Sequence, residues 1–188
     1  EHTHGTEIRP LLQVYEINER LLEKLTHDDT PDTVKVFNLL KSIEDLIRRQ
    51  GQEAPYLISI GERAQQIAED YRQRLMETQA ALRELEALVQ EIVQAEHERR
   101  QMGLSPRAFA AYWLLTREGY REAAALAEQV ESAFQKYPYF HLSRSQDRDL
   151  RRNLYALLGR GDPAAGAEKL KERVEALLRM ITRVEEGL

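Results

Sequence analysis

The chain has 188 residues, with 27 Lys plus Arg against 32 Asp plus Glu and a formal net charge of −5. It contains no Cys, which excludes disulfide scaffolds, thiolate metal sites and cysteine nucleophiles. No apolar stretch approaches the ~18 residues of a membrane-spanning helix. No basic segment followed by an apolar one opens the sequence, so no membrane partner and a cytoplasmic location are expected. The start Glu1-His2-Thr3-His4-Gly5 lacks Met, and the expectation is a fragment of a longer protein or a processed chain.

At 42% hydrophobic and 31% charged, the composition suits a folded, helix-rich chain better than a disordered one. Leu and Ala dominate while Val, Ile and Thr are few, and strict alternation is missing apart from Tyr56-Leu57-Ile58-Ser59-Ile60. The predicted fold is all-α, a multi-helix bundle of about eight helices with one long helix near 78–102. The chain reads as a single helical domain, 1–188, with a possible subdivision into 1–102 and 103–188.

In chain order, the first helix is expected over 7–27, with Pro10 tolerated in its first turn. Thr30-Pro31 pairs a capping side chain with a proline that loses no helix bond, and opens a helix over 31–50 that ends at Gly51. Gln50–Pro55 is a turn before a helix over 56–75. The helix over 78–102 carries Leu82, Leu85, Val89 and Ile92 three and four apart. Burying those four side chains contributes roughly 6–12 kcal/mol before ordering costs. Its tail, Glu96-His97-Glu98-Arg99-Arg100-Gln101, loses the stripe and is expected to be solvated. Gly103 followed by apolar Leu104 fits a left-handed helix ending, and Ser105-Pro106 opens the next helix over 105–117. Gly119 separates it from a helix over 120–136. Lys136–Ser145 is the longest expected non-helical stretch, followed by a helix over 146–158 that Gly159 would end. Asp162-Pro163 would open the last helix, 163–186, with Leu170, Val174, Leu177, Leu178, Ile181 and Val184 on its buried stripe. Eight of the thirteen aromatic residues fall within 109–140, which marks the densest packing centre.

Motifs that carry chemistry are missing. No Gly is followed by Lys, so a phosphate-cradling loop is absent. His97-Glu98 begins a zinc-protease helix, but Gln101 stands where the second His belongs. No Lys has Glu or Gln two residues before it, as a metal-dependent nuclease would need. His2 and His4 lie at a terminus and suit a tag or linker remnant. His141, Ser143, Ser145 and Asp147 match triad residue types only in sequence proximity, and capping is the better role for the serines. No catalytic, cofactor-binding or metal-ligating residue is nominated.

One cluster stands apart. Basic residues are lopsided, 21 Arg to 6 Lys, through a GC-rich genome or through recognition of phosphates and carboxylates by guanidinium forks. Arg144, Arg148, Arg151 and Arg152 recur three or four apart, with Arg160 beyond, against Asp147 and Asp149. A solvated face, a protein interface and a phosphate-contacting patch all fit this pattern. The neighbouring Tyr137-Pro138-Tyr139-Phe140 suits core packing or stacking on bases, and Tyr139 joins the four Arg as a candidate contact.

Four segments together resemble one family: Lys35-Val36-Phe37-Asn38-Leu39-Leu40-Lys41-Ser42-Ile43, Tyr56-Leu57-Ile58-Ser59-Ile60-Gly61-Glu62-Arg63-Ala64, Gly103-Leu104-Ser105-Pro106-Arg107-Ala108-Phe109-Ala110-Ala111-Tyr112-Trp113-Leu114-Leu115 and Leu150-Arg151-Arg152-Asn153-Leu154-Tyr155-Ala156-Leu157-Leu158. They resemble the C-terminal helical region of the restriction subunit of ATP-dependent type I restriction–modification enzymes, over roughly 31–185. The resemblance implies a non-catalytic domain that assembles onto the methyltransferase (modification) subunit. DNA contact would be indirect, or through the Arg-rich face. The family's nuclease and motor residues lie in other domains, and no position here matches them.

Overall fold

The computed structural model describes residues 12–185, and side chains as far as residue 182. The described residues form eight helices and no strand: α1 Leu21–Thr26, α2 Asp32–Gln50, α3 Tyr56–Arg72, α4 Thr78–Met102, α5 Pro106–Arg117, α6 Ala123–Lys136, α7 Arg144–Gly161 and α8 Ala167–Glu185. The all-α expectation and the long fourth helix are both met.

The first helix is much shorter than the pattern suggests. Residues 12–17 are not helical, and two of their amides bind side chains of α2 instead of chain carbonyls. The Gln13 N–H donates to Asn38 Oδ1 at 3.0 Å and the Tyr15 N–H to Ser42 Oγ at 2.7 Å. The Asn18 side chain then accepts from the Arg20 amide, turning the chain into α1. The expected start at residue 7 lies outside the described residues.

Other boundaries shift for local reasons. Arg74 adopts φ 59°, and the Leu75 amide reaches back to the Asp70 carbonyl at 2.8 Å, so a left-handed ending closes α3 before residue 75. Gly103 and Gly119 take positive φ as expected. Gly51 and Gly159 do not: Gly51 continues the turn by donating to the Ile47 carbonyl, and Gly159 sits inside α7. Asp162 caps the end of α7 rather than opening α8, its carboxylate held by Arg173 at 2.9 Å and by the Ala164 amide within the connecting turn. The last helix therefore begins at Ala167, not at Pro163. Val184 lies beyond the described side chains.

The chain divides into two compact units, the first formed by the described residues up to Leu46 with Arg63–Val93, the second by Ile47–Glu62 with the chain from Gln94 onward. In the first unit the row Val36, Leu39, Ile43 and Leu46 is buried while Phe37 on the neighbouring row is 43% exposed. Leu82, Leu85, Val89 and Ile92 of α4 are buried as the spacing indicates. Arg63 of α3 bonds Glu91 of α4 at 2.6 Å, and Asp32 of α2 accepts from Gln79 of α4 at 2.5 Å.

In the second unit α5 packs on α6, α6 on α7, α7 on α8, and α8 on α5. The Tyr56 ring meets Phe109 edge-on, centroids 5.5 Å apart. Most of the aromatic cluster is interior: Phe109, Trp113, Tyr120, Phe134 and Phe140 are buried, but Tyr139 is 61% exposed. The tail of α4 is exposed as expected at His97, Arg100 and Gln101 and departs from expectation at Glu96, Glu98 and Arg99, which are half-buried. Glu96 takes both Arg99 and Arg100 at 3.0 Å and lies against the buried Tyr56 phenol. Burial alone would raise the Glu96 carboxyl, but the two guanidinium groups outweigh it and hold it below its ordinary range.

Candidate functional site

The second unit presents its Arg-rich surface from α7. Ser143 caps the helix, its oxygen accepting from the Gln146 amide at 3.4 Å. Leu150, Leu154, Leu157 and Leu158 face the interior. With the inward face occupied by leucines, the arginines fall on the flank and the outer face.

The four candidate arginines are not equivalent. Arg151 is committed to the fold: its Nε lies 2.9 Å from both Asp147 oxygens and its Nη1 bonds Glu175 of α8. Burial alone would lower this guanidinium, and the two carboxylates outweigh it and hold it above its ordinary value. Arg151 therefore fastens α7 to α8 rather than offering its charge outward. Arg148 and Arg152 share one acid, with Arg148 Nε 3.4 Å and Arg152 Nη1 3.9 Å from Asp149 Oδ1. Their side chains stay 69% and 75% exposed, and such pairs contribute ~0–1 kcal/mol. Arg144 is exposed and makes no ion pair with a described residue. Three outward cations thus have one carboxylate among them.

The turn between α6 and α7 completes the surface. Phe140 is buried with its ring 5.4 Å from Phe134, anchoring the turn. The Tyr139 carbonyl accepts from Leu142 and Ser143, and the Tyr139 amide donates to Gln146 Oε1 at 2.9 Å. This bonding fixes the backbone and leaves Tyr139 61% and Leu142 78% exposed, beside the start of α7. Sequence reading nominated Tyr139 and passed over Leu142. An apolar residue in the short connection just before the Ser143 cap was the available signal. A shallow groove of about 800 Å³ runs beside the outer face, bounded by Tyr137, Arg152, Asn153, Tyr155 and Arg160.

Two further constellations lacked any motif. Arg173, 3% exposed, bonds Glu118 Oε2 at 2.8 Å, Asp162 Oδ2 at 2.9 Å and the Tyr120 hydroxyl at 2.9 Å. Burial alone would depress its guanidinium, but these partners hold it above the ordinary arginine value. The second is the polar row Lys35, Asn38 and Ser42 on α2, all buried. Lys35 donates to the Leu25 carbonyl at 3.0 Å, while Asn38 and Ser42 hold residues 13 and 15. Both sets belong to stability and positioning.

Of the triad-like residues, Asp147 accepts from Arg151 and the His141 ring meets Phe140 edge-on. Ser143 Oγ lies 3.0 Å from Ser145 Oγ and serves the helix cap. His97 pairs with Gln101 across one turn at 2.9 Å. Among the described residues, no group of three or more His, Cys, Asp or Glu converges as a metal site. No helix of the described residues is long and apolar enough to cross a membrane.

No family model, curated protein or solved structure matches the chain.

Proposed function

We propose that this chain is a non-catalytic helical assembly domain of the restriction subunit of a type I restriction–modification enzyme, docking that subunit onto the methyltransferase core in the cytoplasm. The four resembling segments supply the family. The observation that carries the docking role is the surface of Tyr139, Leu142, Arg144, Arg148 and Arg152, where two exposed apolar side chains on a fixed turn adjoin three outward guanidinium groups. Exposed aromatic and Arg side chains on rigid elements are the usual energetic centre of a protein interface. Three cations sharing one carboxylate favour an acidic partner surface. Co-elution with purified methyltransferase core in size exclusion tests the reading. A stable peak at micromolar concentration is expected, and separate elution overturns it.

A second reading, contact with DNA phosphates through the Arg-rich face, is favoured by the same exposed Arg144, Arg148 and Arg152. It predicts DNA binding whose log affinity falls linearly with log salt, losing about one unit of slope for each Arg neutralised. Arg151, already bonded to Asp147 and Glu175, is the least available of the four for that role.

A further inference from the structure

We infer that residues 12–16 form a preorganised strand edge that docks an extended, basic-flanked segment of another polypeptide by main-chain pairing. Asn38 and Ser42 are one helical turn apart on α2, a rise of about 6 Å. Alternate residues of an extended chain are about 6.7 Å apart. The two side-chain acceptors therefore match the amides of Gln13 and Tyr15, which donate to them at 3.0 and 2.7 Å. Tyr15 is 5% exposed and its hydroxyl accepts from Asn38 Nδ2 at 3.1 Å, which locks the register.

An extended backbone aims successive peptide groups in opposite directions. With 13 and 15 turned toward α2, the amide and carbonyl of Val14 turn away, and neither has a partner among the described residues. Leu12 and Val14 are 63% and 50% exposed. The segment thus resembles the edge of a sheet, with free donor and acceptor groups and outward apolar side chains, which is the feature that takes an added strand. The ordering cost of the strand is already met by α2.

Charge selects the occupant. From Leu12 to Asp29, five carboxylates stand against Arg20 and Lys24, leaving −3, and Glu16, Glu19 and Glu23 are exposed. A second copy is a poor fit: antiparallel self-pairing about Val14 sets Leu12 opposite Glu16 and brings two acidic clusters together. A partner strand with alternating β-branched residues and Lys at its ends satisfies both the edge and the charge. This site stands on geometry in the first unit and is independent of the docking surface on α7.

The probe is the peptide acetyl-Lys-Lys-Thr-Val-Thr-Val-Thr-Lys-amide, titrated into the isotopically labelled full chain at low salt. Saturable shifts confined to residues 12–16 are expected, with slowed exchange of the Val14 amide. Two controls remove the pairing from either side. Val14→Pro deletes the outward donor, keeps residue 13 extended and spares the amides that bind α2. The same peptide N-methylated at its valines loses its own donors. Each is expected to weaken binding about 10-fold, the worth of a hydrogen bond or two. An analogue with Glu for Lys is expected to bind several-fold more weakly. No saturable shift up to 1 mM peptide, or equal affinity for Val14→Pro or the methylated peptide, overturns the inference. Unchanged exchange at Gln13 and Tyr15 in Val14→Pro confirms that the segment is still seated. These outcomes do not depend on the methyltransferase, so they separate this site from the α7 reading.

Discussion

The guanidinium carbon of Arg173 lies 4.8 Å from the centroid of the Tyr120 ring, while its Nη1 bonds the hydroxyl of that same tyrosine at 2.9 Å. Tyr120 in turn donates to the Leu158 carbonyl at 3.2 Å. Through this pair the α5–α6 turn, the end of α7 and the middle of α8 are bonded to one another in the second unit. Removing a buried charge partner is costly because the remaining charges lose their compensation. Here Glu118 and Asp162 are about one third exposed and rehydrate in part. Arg173→Met is therefore expected to cost about 2–3 kcal/mol, below the full cost of breaking a buried pair. Tyr120→Phe keeps the ring and is expected to cost about 1 kcal/mol. Denaturant unfolding of both variants and the double variant checks this. Non-additive losses are expected, and two losses under ~0.5 kcal/mol, the range of ordinary surface substitutions, would contradict the network.

The same tyrosine explains a glycine. A Cβ at Gly161 would stand 2.9 Å from Tyr120 Cδ1 and 3.0 Å from Leu126 Cδ2. The Tyr120 ring has little room to retreat, being fixed by Arg173 and Leu158. Gly161→Ala is expected to destabilise by about 1–3 kcal/mol despite the better helix propensity of Ala. Thermal unfolding measures it, and a neutral or stabilising result would show that the ring yields.

Acid stability has a defined sign. Asp28 and Asp162, ordinarily near 3.8, and Glu96, ordinarily near 4.5, are all held lower: Asp28 by hydrogen bonds from Thr30, Asp162 by Arg173, and Glu96 by Arg99 and Arg100 against the opposing effect of burial. A carboxyl with a depressed folded value stabilises above its unfolded value and loses that contribution as pH falls through the folded one. Glu86 runs the other way, raised by burial, so its contribution is present below its ordinary 4.5 and fades above it. Three against one predicts a plateau above about pH 5 and declining stability below about pH 4. Glu86→Gln is expected to raise stability at pH 7 and leave pH 3 unchanged. Denaturant midpoints across pH 2.5–7 test both statements. At the alkaline end, burial pushes the Tyr56 phenol up. Its contribution is kept below pH 10 and lost above it, and its ionisation near 295 nm is expected to trail that of exposed tyrosines.

From residue 31 onward the helices were legible from one physical rule, an apolar stripe at helical spacing, with a side-chain cap before α5 and α7. Val36, Leu39, Ile43 and Leu46 show it, as do Leu82, Leu85, Val89 and Ile92. The rule fails where a tertiary bond replaces a local one. Residues 12–17 carry a plausible helical pattern, yet Asn38 and Ser42 offer the amides of Gln13 and Tyr15 other partners. Asp162-Pro163 has the form of a helix start, yet the chain makes only a turn there, with the carboxylate shared between the Ala164 amide and Arg173, eleven residues on. The candidate site was half legible. Spacing put Arg148, Arg151 and Arg152 on one helix, but only the position of Glu175 on α8 separates Arg151 from its neighbours. The outward turn of Tyr139 and Leu142 follows from Phe140 anchoring the turn on Phe134, a contact between residues whose types look alike in sequence.

The docking claim is tested most directly by calorimetric titration of the methyltransferase core into the intact chain, with Leu142→Asp and Arg148→Glu as a paired variant. Both positions are exposed and neither supports the core, so folding is expected to be unchanged. Saturable binding of micromolar affinity or better, weakened at least about 10-fold in the variant, is the predicted result. Absence of binding by the unaltered chain, or identical affinity in the variant, would contradict it.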